Sequence, residues 1–331
     1  MKKKMVRNQT RSPPVTISFN TAGSIFGNVG KLCTKAIEGL AYPVNCNLYI
    51  TPQVRPEEGG ACGKIVPLHT DRQDVLVFQT NGTKRWRIYP RPSPPKKGVD
   101  PFNRGKAGDI VEQSEVDESR CLDCTLEEGD VLYVPIGWAH ETATPHKDAT
   151  KGSSLPPVSV HITLGIDSVV WGLTYAHLRW GVLSYYGLDY NVDLQKVKEE
   201  FYWKSMDALP FGFLQGSDDS DKEVTENLIE LLAGMEPERR DLPLDADKVK
   251  VAVEIFKKHA QSIIAVQRDM YESPDPKSPE AMFKAMKGTR ELSVVMARLG
   301  ASVFCDPFRA AHTQKVKDMD AKLSAASAAS Q

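Results

Sequence analysis

Up to about residue 166, apolar positions alternate with polar ones in short runs broken by Gly, Pro and Asn; beyond it they recur every three to four residues. Period two marks a strand with one buried face, and a period near 3.6 marks a helix. Val15–Phe19, Asn45–Pro52, Val75–Thr80, Lys84–Tyr89, the run from Gly129 to His140 and Val158–Leu164 are therefore predicted strands. Asn81-Gly82, between two of them, is the dipeptide of a tight hairpin. One helix interrupts the strands, its stripe made by Val29, Leu32, Cys33, Ala36, Ile37 and Leu40. Repeated strands, hairpins and loops of this kind predict a small double-sheeted barrel.

The second half reads as helices. A long one is predicted from a cap at Asp167 or Ser168 to Gly187, followed by others over roughly 194–207, 222–235, 245–270 and 279–299. The proline-rich run from Ser273 to Pro279 separates the last two, because no helix crosses it unbroken. From about Lys315 to the Ser/Ala-rich end, the chain is expected to be frayed or disordered. Three further stretches, Gln53–Pro67, Pro90–Glu118 and Thr142–Pro157, are polar and rich in Pro and Gly, so they are read as loops.

Composition narrows the function only a little. The 331 residues carry 42 Lys plus Arg against 43 Asp plus Glu, so a net charge of -1 gives no global pull toward nucleic acid or acidic membranes. No apolar run approaches the length of a membrane span. The start, Met1 to Arg11, is basic without an apolar stretch behind it, which reads as a solvated arm, an RNA-binding arm or a nuclear address rather than a secretory signal. Six cysteines, thinly spread, point to a reducing compartment and free thiols. Cys121-Leu122-Asp123-Cys124 has the spacing of half a zinc knuckle, but no second such pair completes it, and ordinary loop cysteines are the better reading.

Candidate chemistry begins at His69-Thr70-Asp71, which puts an imidazole and a carboxylate two residues apart at the start of an apolar run. On a strand these share a face and can grip one cation. Two histidines and one carboxylate form the facial set that leaves open positions on ferrous iron, and His140 is the best third ligand. Pro135 and Gly137 break the chain just before it. Alone, His-x-Asp is a weak pattern. Asn45, Asn47 and Tyr49 share one strand face, as do Ser159, His161 and Thr163. Lys84 lies on the apolar face of Trp86 and Ile88, where a charge wants an anion; the other reading is a strand-end lysine reaching back to solvent.

With these residues in view, the chain resembles the JmjC class of 2-oxoglutarate oxygenases, and within it the ribosomal oxygenase branch of bifunctional histidyl hydroxylases and lysine-specific demethylases. The resemblance is carried by Asn47–Pro52, His69–Asp71, Gln79–Tyr89, Gly129–Pro135 with Gly137–His140, and Ser159–Thr163, and covers about residues 29 to 170. It implies an α+β fold: a double-stranded β-helix (cupin or jelly-roll) barrel in residues 1–166, with its N-terminal part missing, a helical dimerisation segment in 167–215, and an all-helical C-terminal region in 216–331 that is winged-helix-like at best. Trp171, Trp180, Tyr185 and Tyr186 would supply the apolar face of a homodimer. Fe(II) would be held by His69, Asp71 and His140. Lys84 would pair with the distal carboxylate of 2-oxoglutarate, with Asn47, Tyr49 and Ser159 as hydrogen-bonding neighbours. With O2 as co-substrate, the resemblance implies hydroxylation of a side chain of a protein substrate, either a ribosomal protein or, by demethylation, a histone tail. Its setting would be the nucleus or nucleolus, with the cytoplasm as the alternative, no membrane and no direct nucleic-acid partner. A catalytically silent barrel serving as a scaffold is the alternative from another class.

Overall fold

The computed structural model describes residues 16–52, 64–92, 100–106, 109–144, 158–185, 187, 197–216, 218–235, 246–273, 278–299 and 306–329. The basic arm, most of the two polar loops at 53–63 and 145–157, and the prolines at 274 and 276 lie outside the described residues.

Among the described residues, nine strands form two antiparallel sheets. They are β1 (Ile17–Phe19), β2 (Val44–Pro52), β3 (Lys64–His69), β4 (Asp74–Asn81), β5 (Lys84–Tyr89), β6 (Leu122–Leu126), β7 (Val131–Val134), β8 (Ala139–Ala143) and β9 (Val158–Ile166). One sheet has the order β1-β2-β9-β4-β7 and the other β3-β8-β5-β6. From β2 onward the chain jumps between the sheets at almost every connection, which is the winding of a double-stranded β-helix. Helices α1 (Gly27–Leu40), α2 (Tyr175–Tyr185), α3 (Glu199–Met206), α4 (Asp218–Met235), α5 (Ala246–Tyr271), α6 (Pro279–Leu299) and α7 (Asp306–Ala329) complete an α+β architecture.

Strand alternation decides what each face of the five-stranded sheet meets. Val44, Cys46, Leu164 and Ile166 point outward into the main apolar core, joined there by Cys33 and Ile37 of α1, Leu178 and Val182 of α2, Leu228 of α4 and Phe256 and Ile264 of α5. The inward residues of β2 and β9 are the polar ones. A second core of Val75, Val77, Trp86, Ile88, Leu126, Leu132 and Val134 fills the space between the sheets. The barrel is thus roofed by helices on one side and closed inside by apolar packing. α5 is tied to the sheet by polar contacts as well: Tyr271 Oη donates to Val44 O (2.7 Å), and Gln267 Oε1 accepts from Val44 N (3.0 Å).

Several expectations change. Asn81-Gly82 makes a tight turn but no hairpin, because β4 pairs with β9 and β7 while β5 pairs with β8 and β6. Asn81 Nδ2 is taken by Val158 O (2.7 Å), and Gly82, with φ 65°, lies so close to that carbonyl that a Cβ would stand 2.5 Å from it. The turn therefore carries the chain from one sheet to the other. Lys64–Pro67 and Leu122–Leu126, read as loop, are strands, and the run to His140 is two strands in different sheets. The helix expected from Asp167 begins only at Tyr175, after a short 3-10 turn at Val169–Trp171. Asp167 does not cap it; the carboxylate is buried and accepts from Trp171 Nε1 (3.2 Å) and from Gln73 Nε2. The segment expected to be disordered is α7, since alanine is the best helix former and outweighs the low hydrophobicity.

Candidate metal centre

β3 and β8 pair so that His69 and His140 are cross-strand partners, with their rings 4.2 Å apart. Asp71 is not on the strand with His69. β3 ends at His69 and β4 starts at Asp74, so Asp71 sits in the link that crosses between the sheets. Its backbone carbonyl accepts from Gly137 N (3.1 Å). Its Oδ2 lies 3.3 Å from His140 Nε2 and 3.8 Å from His69 Nε2.

The hydrogen bonds behind the ligands fix the ring tautomers. His69 Nδ1 lies 2.8 Å from Pro67 O and His140 Nδ1 3.1 Å from Trp138 O. A carbonyl only accepts, so each Nδ1 must carry the proton and each Nε2 keeps a lone pair toward Asp71. Ligand atoms about 2.1 Å from one ion and at right angles are roughly 3 Å apart; Asp71 Oδ2, at 3.3 and 3.8 Å from the two imidazole nitrogens, is near that spacing, and the three side chains form a cluster that could hold a metal ion. Among the described residues this is the single such cluster, and Cys121 and Cys124 are free thiols outside it.

Electrostatics agree with a cation site. Burial lowers the His69 pKa to about 4, helped by the neighbouring imidazole of His140, so the ring is neutral and able to ligate. Burial alone would raise Asp71, yet the contact with His140 and the charge of Lys106 outweigh it and hold the carboxyl well below its usual range. Lys106 forms an ion pair with Asp71 Oδ1, leaving Oδ2 to the histidines. Thr70 anchors the segment that delivers Lys106: Thr70 N donates to Arg104 O (3.1 Å), and Arg104 N donates to Thr70 Oγ1 (2.9 Å).

The three candidate ligands line a cavity of about 200 Å³ between the sheets, shared with Asn47, Tyr49, Gln73, Lys84, Trp86, His161 and Thr163. Lys84 is 1% exposed, and no anionic group of the described residues pairs with it; burial lowers its pKa to about 8. The strand-face argument therefore holds against the solvent-reaching alternative. Asn47 Oδ1 accepts from Thr21 N (3.1 Å), and the Tyr49 ring stacks on His161 at 4.9 Å. His161 is held neutral, its pKa lowered to about 3 by burial and by Lys84. Ser159 is fully buried on the same strand face but does not line the cavity; its hydroxyl accepts from Gln79 Nε2 (3.0 Å). His161 and Thr163 take the lining positions, as their shared face with Ser159 allowed. Lys106 and Gln73 had no pattern to reveal them.

Residues 31–161 match the family model described as the JmjC domain. Over these residues the chain is similar to that domain family. Bifunctional lysine-specific demethylase and histidyl-hydroxylase NO66 of Drosophila persimilis is 34% identical over 135 residues, 40% of this chain and 16% of that protein. The protein of the same name from Dictyostelium discoideum is 33% identical over 210 residues, 62% of this chain and 34% of the relative. The chain thus spans about a sixth to a third of these relatives' length. The JmjC match runs from α1 into β9 and contains all three metal-ligand candidates together with Lys84.

Proposed function

We propose that this chain is an Fe(II)- and 2-oxoglutarate-dependent dioxygenase that hydroxylates a side chain of a protein, a ribosomal protein being the first candidate. One observation carries the reading: a buried ammonium at Lys84, unpaired among the described residues, shares a single cavity with a two-histidine, one-carboxylate cluster. His69, Asp71 and His140 would hold the iron, which when bound supplies open positions for an oxoacid and O2. Lys84 neutralises the distal carboxylate of the co-substrate, a charge-assisted contact worth about 1.5 to 3 kcal/mol. Asn47 and Tyr49 orient it from β2, with Ser159 bracing the wall beside them through Gln79. Trp86, Val75 and Val134 exclude water from the buried end.

Histone lysine demethylation is the second reading, because the relatives' names carry both activities. Nuclear or nucleolar action belongs to the same proposal and rests on the basic arm of residues 1–11. So does a homodimer through residues 167–215, although Trp171 and Leu178 are buried within their own chain. No helix of the described residues is long and apolar enough to cross a membrane.

Anaerobic titration with ferrous iron and 2-oxoglutarate tests the reading through the visible charge-transfer band of the chelate. The band is expected in the wild type and absent in His69→Ala. Folded protein that never shows it would be a scaffold. Mass gain of one oxygen on ribosomal proteins, against loss of methyl from histone peptides, separates the two enzyme readings.

A further inference from the structure

Two residues after Asp71, Gln73 lines the cavity, and two features fix its carboxamide there. Asp167, 2% exposed, accepts from Trp171 Nε1 through Oδ2 and from Gln73 Nε2 through Oδ1. Gln73 Nε2 donates to Asp167, which turns the NH2 of the amide toward that side chain and its carbonyl oxygen away. Gly165 supplies the room: a Cβ there would stand 2.6 Å from Gln73 Nε2 and 2.7 Å from its Cδ. The amide lies flat on the glycine, and Gln73 Oε1 has no partner among the described residues.

The charged lining of this cavity is otherwise cationic, with Lys84 and Lys106 beside the metal cluster. An acceptor oxygen in that wall does not recognise the anionic co-substrate. We propose that Gln73, aimed by Asp167 and seated on Gly165, is a specificity-determining residue that selects a substrate side chain bearing an N–H donor. The inference rests on the dioxygenase reading and narrows its substrate class. A donor on the target side chain would satisfy Oε1, whereas an apolar side chain of equal size would leave that acceptor desolvated and unpaired.

The test uses iron-loaded full chain, 2-oxoglutarate and peptides that differ only at one central residue. The pairs are histidine against its thiophene isostere, asparagine against leucine, and arginine against norleucine, with succinate release measured for each. In the wild type the N–H member of at least one pair is expected to win in kcat/KM by about tenfold or more, the weight of one good hydrogen bond. That ratio should fall to about one in Gln73→Leu. It should fall likewise in Gly165→Ala, which displaces the amide without removing it. Because each ratio is internal to one variant, a general loss of activity does not imitate the result. Ratios near one in the wild type, ratios unchanged by both substitutions, or no peptide raising succinate release although metal and 2-oxoglutarate bind, would overturn the inference. Failure to bind iron or 2-oxoglutarate at all would instead remove the dioxygenase reading beneath it, and this inference with it.

Discussion

Lys84 stores an electrostatic cost inside the barrel. A buried ammonium without an anion destabilises the fold, which is tolerable only if the site is used. Lys84→Met should therefore raise the melting temperature of the ligand-free protein while weakening 2-oxoglutarate binding by roughly ten- to a hundredfold. Calorimetry on the two proteins reads both quantities, and a variant that loses stability and affinity together would contradict it. The same residue shows what is legible locally. Alternation alone placed Lys84 with Trp86 and Ile88 inside, and all three are buried. His69 and Asp71 were visible as a pair for a reason that proved incomplete, since the carboxylate reaches its place through a crossover between sheets rather than along a strand. Gln73 and Lys106 were invisible, because what brings them to the cavity is a glycine on β9 and a loop pinned by Thr70.

Among the elements, strand positions followed from period and turn residues, but strand partners did not. Asn81-Gly82 specifies a left-handed glycine and a reversal; pairing is set by distant segments, here β9 bonding to both β2 and β4. Gly82→Val meets a positive φ and the Val158 carbonyl together, and should cost about 2 kcal/mol or more. Urea denaturation measures it; a loss under half a kilocalorie would mean that the turn adapts. Helix ends were misjudged where tertiary contacts claimed the capping residue, as at Asp167, and where a Ser/Ala-rich tail was judged on hydrophobicity alone.

Across the whole molecule, buried titratable groups set opposing pH dependences. Burial lowers the His177 pKa to about 4, and its Nδ1 lies 2.7 Å from Thr174 Oγ1. The unfolded chain takes up that proton near 6.5 and the folded chain does not, so this group's stability contribution is lost as pH falls from 6.5 to about 4. Asp167 runs the other way. Burial pushes its pKa up to about 7 from an ordinary 3.8, so its contribution is lost as pH rises from about 4 to 7. Relative to wild type, His177→Gln should gain stability on acidification and Asp167→Asn on going toward neutrality, each by roughly 1.4 kcal/mol per pH unit within its window. Denaturant melts of metal-free protein at pH 4.5, 5.5 and 6.5 check both signs, and parallel curves would refute them.

β2 presents Asn47 and Tyr49 to the cavity and Val44 and Cys46 to the helices, while Tyr271 and Gln267 grip its first residue. One strand is thus a common wall between the ligand chamber and α5. Filling the chamber should slow amide hydrogen exchange not only in β2 but in the last turns of α5, which no ligand touches. Equal protection of α5 with and without 2-oxoglutarate would show that the wall carries weight but passes no message.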